Sequence, residues 1–101
     1  MQIGLCEGRH EIKTNEGEAL DGFIFSTVEN PMDFRSHYLQ VREWLDKESP
    51  SVVHLYVTGL TTLLTSFLLA VKNYGDLNLL ILMHYDRESG NYLPQAATTL
   101  C

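Results

Sequence analysis

His84, Asp86 and Arg87 fall together in the stretch HYDR and combine a proton shuttle, a carboxylate and an anion-binding guanidinium. Arg9 and His10 repeat two of these types near the start of the chain. With a phosphodiester between the two groups, the arginines would neutralise phosphate charge while a histidine moves protons. A third group, Thr58-Gly59-Leu60-Thr61-Thr62, offers hydroxyls and backbone N–H groups that can hold a phosphate or carboxylate at a helix start. The same residues serve equally as simple caps through Thr58 or Thr61. This turn has neither the Gly-Lys-Ser/Thr ending of a P-loop nor the spaced glycines of a dinucleotide site, so ATP and NAD are disfavoured and no cofactor is expected. DRESG also reads as a solvated hairpin with no chemical role. His10, His37, His54 and His84 show no metal-ligand spacing, and no serine or cysteine lies in a nucleophile motif. No metal is expected, and no catalytic residue is specified.

Aromatic and acidic side chains suggest a different use. Glu43, Trp44 and Asp46 lie on one segment and Tyr85, Asp86 and Tyr92 on another, and aromatics beside charges suit a protein interface. The formal net charge is -6, which disfavours duplex DNA and favours a basic protein partner. At 101 residues, 45% hydrophobic and 20% charged, the chain has the composition of one soluble globular domain, residues 1–101. The start lacks a signal-peptide pattern, and Lys72, Asn73 and Asp76 break the apolar runs before membrane-spanning length. A cytoplasmic chain is expected, with no membrane contact and with Cys6 and Cys101 in no disulfide framework.

These residues need elements to position them. Gln2 to Cys6 reads as a strand, IKTNEGEALDG as a loop or weak hairpin, and Phe23 to Thr27 as a second strand. A helix should follow, with Asn30 as cap, Pro31 in first position and Asp33 in the first turn. Phe34, Tyr38, Val41 and Leu45 recur at helical spacing as its buried face, and Ser49-Pro50 ends it. Val52 to Val57 is a nearly continuous apolar strand in which His54 is expected to be hydrogen-bonded. Leu60, Leu63, Leu64, Phe67, Leu68 and Val71 make the next helix well buried, or give it a second apolar face for a partner. Leu77 to His84 returns as a parallel strand. ESGN then turns into a short edge strand, NYLP, and AATTLC is a loose tail. The expected fold is a small Rossmann-like α/β domain: a mostly parallel sheet of about five strands, two main helices and a C-terminal β-hairpin. Its ligand site would lie outside the carboxyl ends of the parallel strands, where Glu7 to His10, Thr58 to Thr62 and His84 to Arg87 converge.

YVTGLTTLL followed by LMHYDRESGNYLPQ, with GRHEI and FIFSTVENPMDF at the front, resembles small proteins encoded by phages and other bacterial mobile elements. That resemblance implies an anti-CRISPR or other anti-defence protein, an inhibitor that binds a host defence complex. The strand-turn-helix at Thr58 to Thr62 is similar to the ligand-contacting turn of Rossmann-like CARF domains. This second resemblance implies a binder of cyclic oligonucleotide second messengers, or a phosphodiesterase acting on them, although the turn here carries no lysine. A homodimeric structural module, paired through the second helix or the terminal hairpin, is the remaining expectation.

Overall fold

A computed structural model describes residues 1–8 and 10–97 of the chain. Arg9, Cys101 and most of the expected tail lie outside the described residues. The elements are β1 (Gln2–Cys6), β2 (Gly22–Phe25), α1 (Phe34–Glu48), β3 (Val52–Tyr56), α2 (Thr61–Lys72), β4 (Leu79–Asp86) and β5 (Asn91–Ala96). The strands form one sheet in the order β2-β1-β3-β4-β5. β1 pairs parallel with β2 and β3, and β3 pairs parallel with β4, whereas β4 and β5 form an antiparallel hairpin. The sheet is therefore mixed, not mostly parallel, because the short 87–90 turn can only return the chain antiparallel.

Strand alternation divides the side chains between two faces. Ile3, Leu5, Val53, Leu55, Leu80 and Leu82 point to one face and join a single core with Val41, Leu45, Leu63, Phe67, Ala70 and Val71 from the helices. α1 and α2 pack on each other over that face. Tyr56 and Met83 are also buried, yet on the opposite face and outside that core. Phe23 lies across Gly4 there, so closely that a Cβ at Gly4 would meet its ring together with Leu20. Glycine in mid-strand leaves room for this cover.

What covers the second face is the connection from β1 to β2, which has no helix among its described residues. It is a strap closed by an isolated antiparallel bridge between Lys13 and Ala19. At its tip the Asn15 amide donates to Tyr92 O at 3.0 Å and accepts from Tyr92 N at 2.8 Å. Asn15 thus occupies a free backbone site on β5 that another strand would otherwise take. Asp21 brings the strap back to the sheet, its carboxylate accepting from Gln2 N at 2.7 Å.

Several boundaries differ from the sequence expectation for local reasons. β2 stops at Phe25, short of Thr27, because Glu7 N donates the last bond to Phe25 O before the chain leaves β1 for the strap. α1 begins three residues later than Pro31, at Phe34. Asn30 accepts from Met32 N at 3.0 Å and closes a separate turn, leaving Asp33 to accept from Ser36 N as the true N-cap. Phe34 consequently opens the helix in solvent, 55% exposed, while Val41 and Leu45 are fully buried. The far end follows expectation, with Ser49 left-handed at φ 44 before Pro50. His54 is half-buried on the strap face and its Nδ1 has no partner among the described residues, contrary to the expected hydrogen bond.

Candidate functional site

β1 is the strand at which the connections change sides. Its chain leaves Cys6 for the strap on one face, whereas its neighbour β3 leaves Tyr56 for α2 on the other. Two adjacent parallel strands whose continuations diverge must leave a crevice at their carboxyl ends. A cleft of about 520 Å³ occupies that place. Cys6 and Glu7 form one side, Thr58 and Gly59 the other, and His10, Glu11 and Ile12 of the strap overhang them. Tyr85 and Tyr92 of the β4–β5 hairpin close the far wall.

The floor is fixed by Thr58, whose hydroxyl donates to Cys6 O at 2.7 Å and accepts from Cys6 N at 3.3 Å. These bonds use the hydroxyl's proton and one of its lone pairs and tie the two diverging loops together, and Thr58 does not cap α2. Leu60 stands at the N-cap position and makes no side-chain cap bond. Thr61 and Thr62 lie inside the helix, where their carbonyls accept from Thr65 and Ser66 hydroxyls. Capping by Thr58 or Thr61 is thereby corrected: Thr58 is bonded to Cys6, and no side chain caps the start of α2, where Leu63 N and Leu64 N donate to Leu60 O. Gly59 makes the turn with φ +82.

The tyrosines form a stepped aromatic wall. Tyr92 meets Tyr85 edge-on at 5.4 Å between ring centres and Tyr56 at 4.9 Å. Such edge-to-face contacts orient the rings as well as bury them. Tyr56 OH donates to Gln2 Oε1 at 2.7 Å beneath the wall. Burial, with Tyr85 alongside, pushes the Tyr92 phenol above its ordinary pKa, and burial, then Glu16 and Tyr92, does the same for Tyr56. The Cys6 thiol is also raised, by burial first and by Glu7 second. It is a neutral thiol at physiological pH and therefore a poor nucleophile.

Of the residues singled out in the sequence, His10, Thr58, Gly59, Tyr85 and Tyr92 come together at this cleft. His84, Asp86 and Arg87 do not. His84 alternates with Tyr85 onto the other face, where Nε2 lies 2.7 Å from Gln95 Oε1. Asp86 braces its own turn, its carboxylate accepting from Ser89 N at 3.2 Å and Glu88 N at 3.4 Å, and Arg87 is exposed within that turn. The pairing of Arg9 with Arg87 cannot be placed, since Arg9 lies outside the described residues. The proposed interface residues are likewise divided, because Trp44 packs on Phe67 in the helix layer while Tyr85 and Tyr92 line the cleft. Cys6, Glu11 and Ile12 escaped the sequence reading. Ile12 is the one with a legible signal, as an aliphatic residue with polar neighbours on both sides.

The Asp86 turn carries a pH test. Hydrogen bonds from Ser89, then its backbone and that of Glu88, hold this carboxyl below its usual range. A folded-state pKa below the unfolded one gives stability that is present above the unfolded value and lost as pH falls through the folded value. Asp86→Asn should therefore melt below the wild-type chain at neutral pH, and the two melting curves should converge on acidification. A difference that persists at acid pH would refute the role of the charge.

Compared with protein-family models, with curated proteins and with solved structures, the chain matches none.

Proposed function

We propose that the chain is a small Rossmann-like binding protein whose cleft holds a nucleotide second messenger of the cyclic oligonucleotide class sensed by CARF-like domains. The observation that carries this reading is the position of the cleft, at the point where the continuations of β1 and β3 part, which is where open α/β sheets place their ligands. Two features support it. The uncapped start of α2 offers backbone N–H groups and the positive end of a helix dipole to a phosphate at the rim. The tyrosine wall offers flat apolar surface to a base. Binding without turnover is the reading, since the thiol is protonated, the Thr58 hydroxyl is engaged and His84 lies on the other face.

The experiment is thermal unfolding in the presence of cyclic oligoadenylates and cyclic dinucleotides. A ligand selective for the folded state and present at a hundred times its Kd stabilises by about 2.7 kcal/mol. For a domain of this size that raises Tm by roughly 10 °C or more. No shift with any member of the panel would sink the proposal.

A second reading, an anti-defence protein that inhibits a CRISPR-type complex by binding its surface, draws on the outer side of α1. Leu39 is half exposed there and shares a shallow groove with Arg35 and Glu43, and Met32, in the turn before the helix, is exposed as well. This reading expects co-elution with a purified CRISPR effector complex that Glu43→Ala or Asp46→Ala weakens. Unchanged co-elution of both variants would remove α1 from the interface.

A further inference from the structure

The strap crosses the cleft from one wall to the other. Its root is clamped at both ends beside β1, where Glu7 N donates to Phe25 O at 2.8 Å. Asp21 N donates to Gln2 O and its carboxylate accepts from Gln2 N, each at 2.7 Å. From this root His10, Glu11 and Ile12 pass over the cleft, and the tip comes down on Tyr92 of the far wall.

Between root and tip the strap is held loosely. No residue from His10 to Asp21 is buried, and only Ile12, Thr14 and Leu20 are half-buried. A segment with so little buried surface opens far more readily than the core beneath it. Its tip is nonetheless a unit of its own: Thr14 N donates to Glu18 O at 2.8 Å, Gly17 N donates to Thr14 O at 2.9 Å, and the Thr14 hydroxyl accepts from Glu18 N at 3.1 Å. The strap can therefore leave the sheet with its turn intact.

What fastens the tip is the Asn15 amide. Among the described residues, the hydrogen bonds from the strap to β5 are its two, and both go to the backbone of Tyr92. The ring of that same residue touches Tyr85 and Tyr56, so the point that receives the tip also carries the cleft wall. Tyr56, only 2% exposed, lies on the face that the strap covers.

We infer that the strap is a lid over the cleft, latched by the Asn15 amide on the Tyr92 backbone, whose release opens the cleft and uncovers Tyr56. The inference goes beyond the nucleotide reading, because a lid gates any occupant of this space. An occupant that touches the lid differently when open and closed shifts the latch, and the latch changes its affinity by the same factor.

Thiol labelling tests it on the full chain without a ligand. Cys6 lines the cleft below the strap, and in a Cys101→Ser background it is the one thiol. N-ethylmaleimide should modify Cys6 roughly tenfold faster in Asn15→Ala, the factor expected when two modest hydrogen bonds are lost from a closed state. Amide exchange at Leu55 and Leu82, buried in the central strands, should stay as in the parent chain. Equal labelling rates with and without the Asn15 amide would overturn the latch. Faster labelling accompanied by equally faster exchange at Leu55 and Leu82 would overturn it too, since the thiol would then be reached by unfolding of the whole domain.

Discussion

Gly59→Ala is expected to lower stability by roughly 2–5 kcal/mol and to remove ligand binding at the cleft, because one methyl group causes two separate conflicts. The first is conformational: Gly59 sits at φ +82, where an L-residue is disfavoured by about 1–2 kcal/mol. The second is steric, since the new Cβ would stand 2.9 Å from Cys6 Cβ. That neighbour cannot rotate away, as a Cβ moves only with its backbone, and Cys6 is fixed by its pairing with Phe25 and by both bonds to Thr58. Relief must come from separating the loops that end β1 and β3, which reshapes the cleft between them. Such overpacking typically adds about 1–3 kcal/mol. Urea denaturation should show a lower midpoint at unchanged slope. Gly75→Ala is the control, with nothing within 4 Å of its Cβ and no positive φ, and it should change stability by less than about 1 kcal/mol. If the two variants melt together, the close approach of these loops is not what shapes the site.

The β3-α2-β4 unit was legible because each signal acted locally. The apolar runs marked strands, the period of Leu63, Phe67 and Val71 marked a helix, and a helical crossover dictates a parallel return. The Asn30 region misled because two candidate caps lie three residues apart, and only the turn closed by Asn30 decides between them. The strap was the least legible element. Its residues are polar, and its placement depends on Asn15 reaching Tyr92, 77 positions away, which no local pattern encodes. The site shared this division. Its location followed from the convergence of strand ends, and three of its sequence candidates, His10, Thr58 and Gly59, do line the cleft. HYDR does not reach the cleft because His84 points to the face opposite Tyr85, while Asp86 is taken up by the turn that holds Arg87. Tyr85 therefore enters the cleft, and His84 turns away to Gln95. A sequence read as neighbours along the chain overlooks this alternation, whereas the same four letters read with a period of two separate the wall of the cleft from the scaffold behind it.

Phe67→Ala should produce the largest loss, about 3–5 kcal/mol, through the cavity and the transfer energy of a fully buried ring. Phe67 is where α2 meets both α1 and the sheet, with Trp44 tilted against it at 6.5 Å between ring centres. A domain of this size has roughly 5–15 kcal/mol in total, so Tm should fall by more than about 12 °C. Leu69→Ala on the same helix, 51% exposed, should cost less than about 1 kcal/mol and shows that helix propensity is not the cause. Trp44 is the only tryptophan, so its emission reports locally on the cavity, and a red shift in the folded variant is expected. The consequence for the cleft is separable from that for the fold. Phe67 belongs to the helix-side core, whereas the cleft opens on the strap side of the sheet. A saturating ligand should therefore add the same free energy to the variant as to the wild-type chain, as independent sites do. A smaller increment in the variant would mean that the docking of α2 sets the position of its first turn at the rim, and that the core on one face and the cleft on the other are a single cooperative unit.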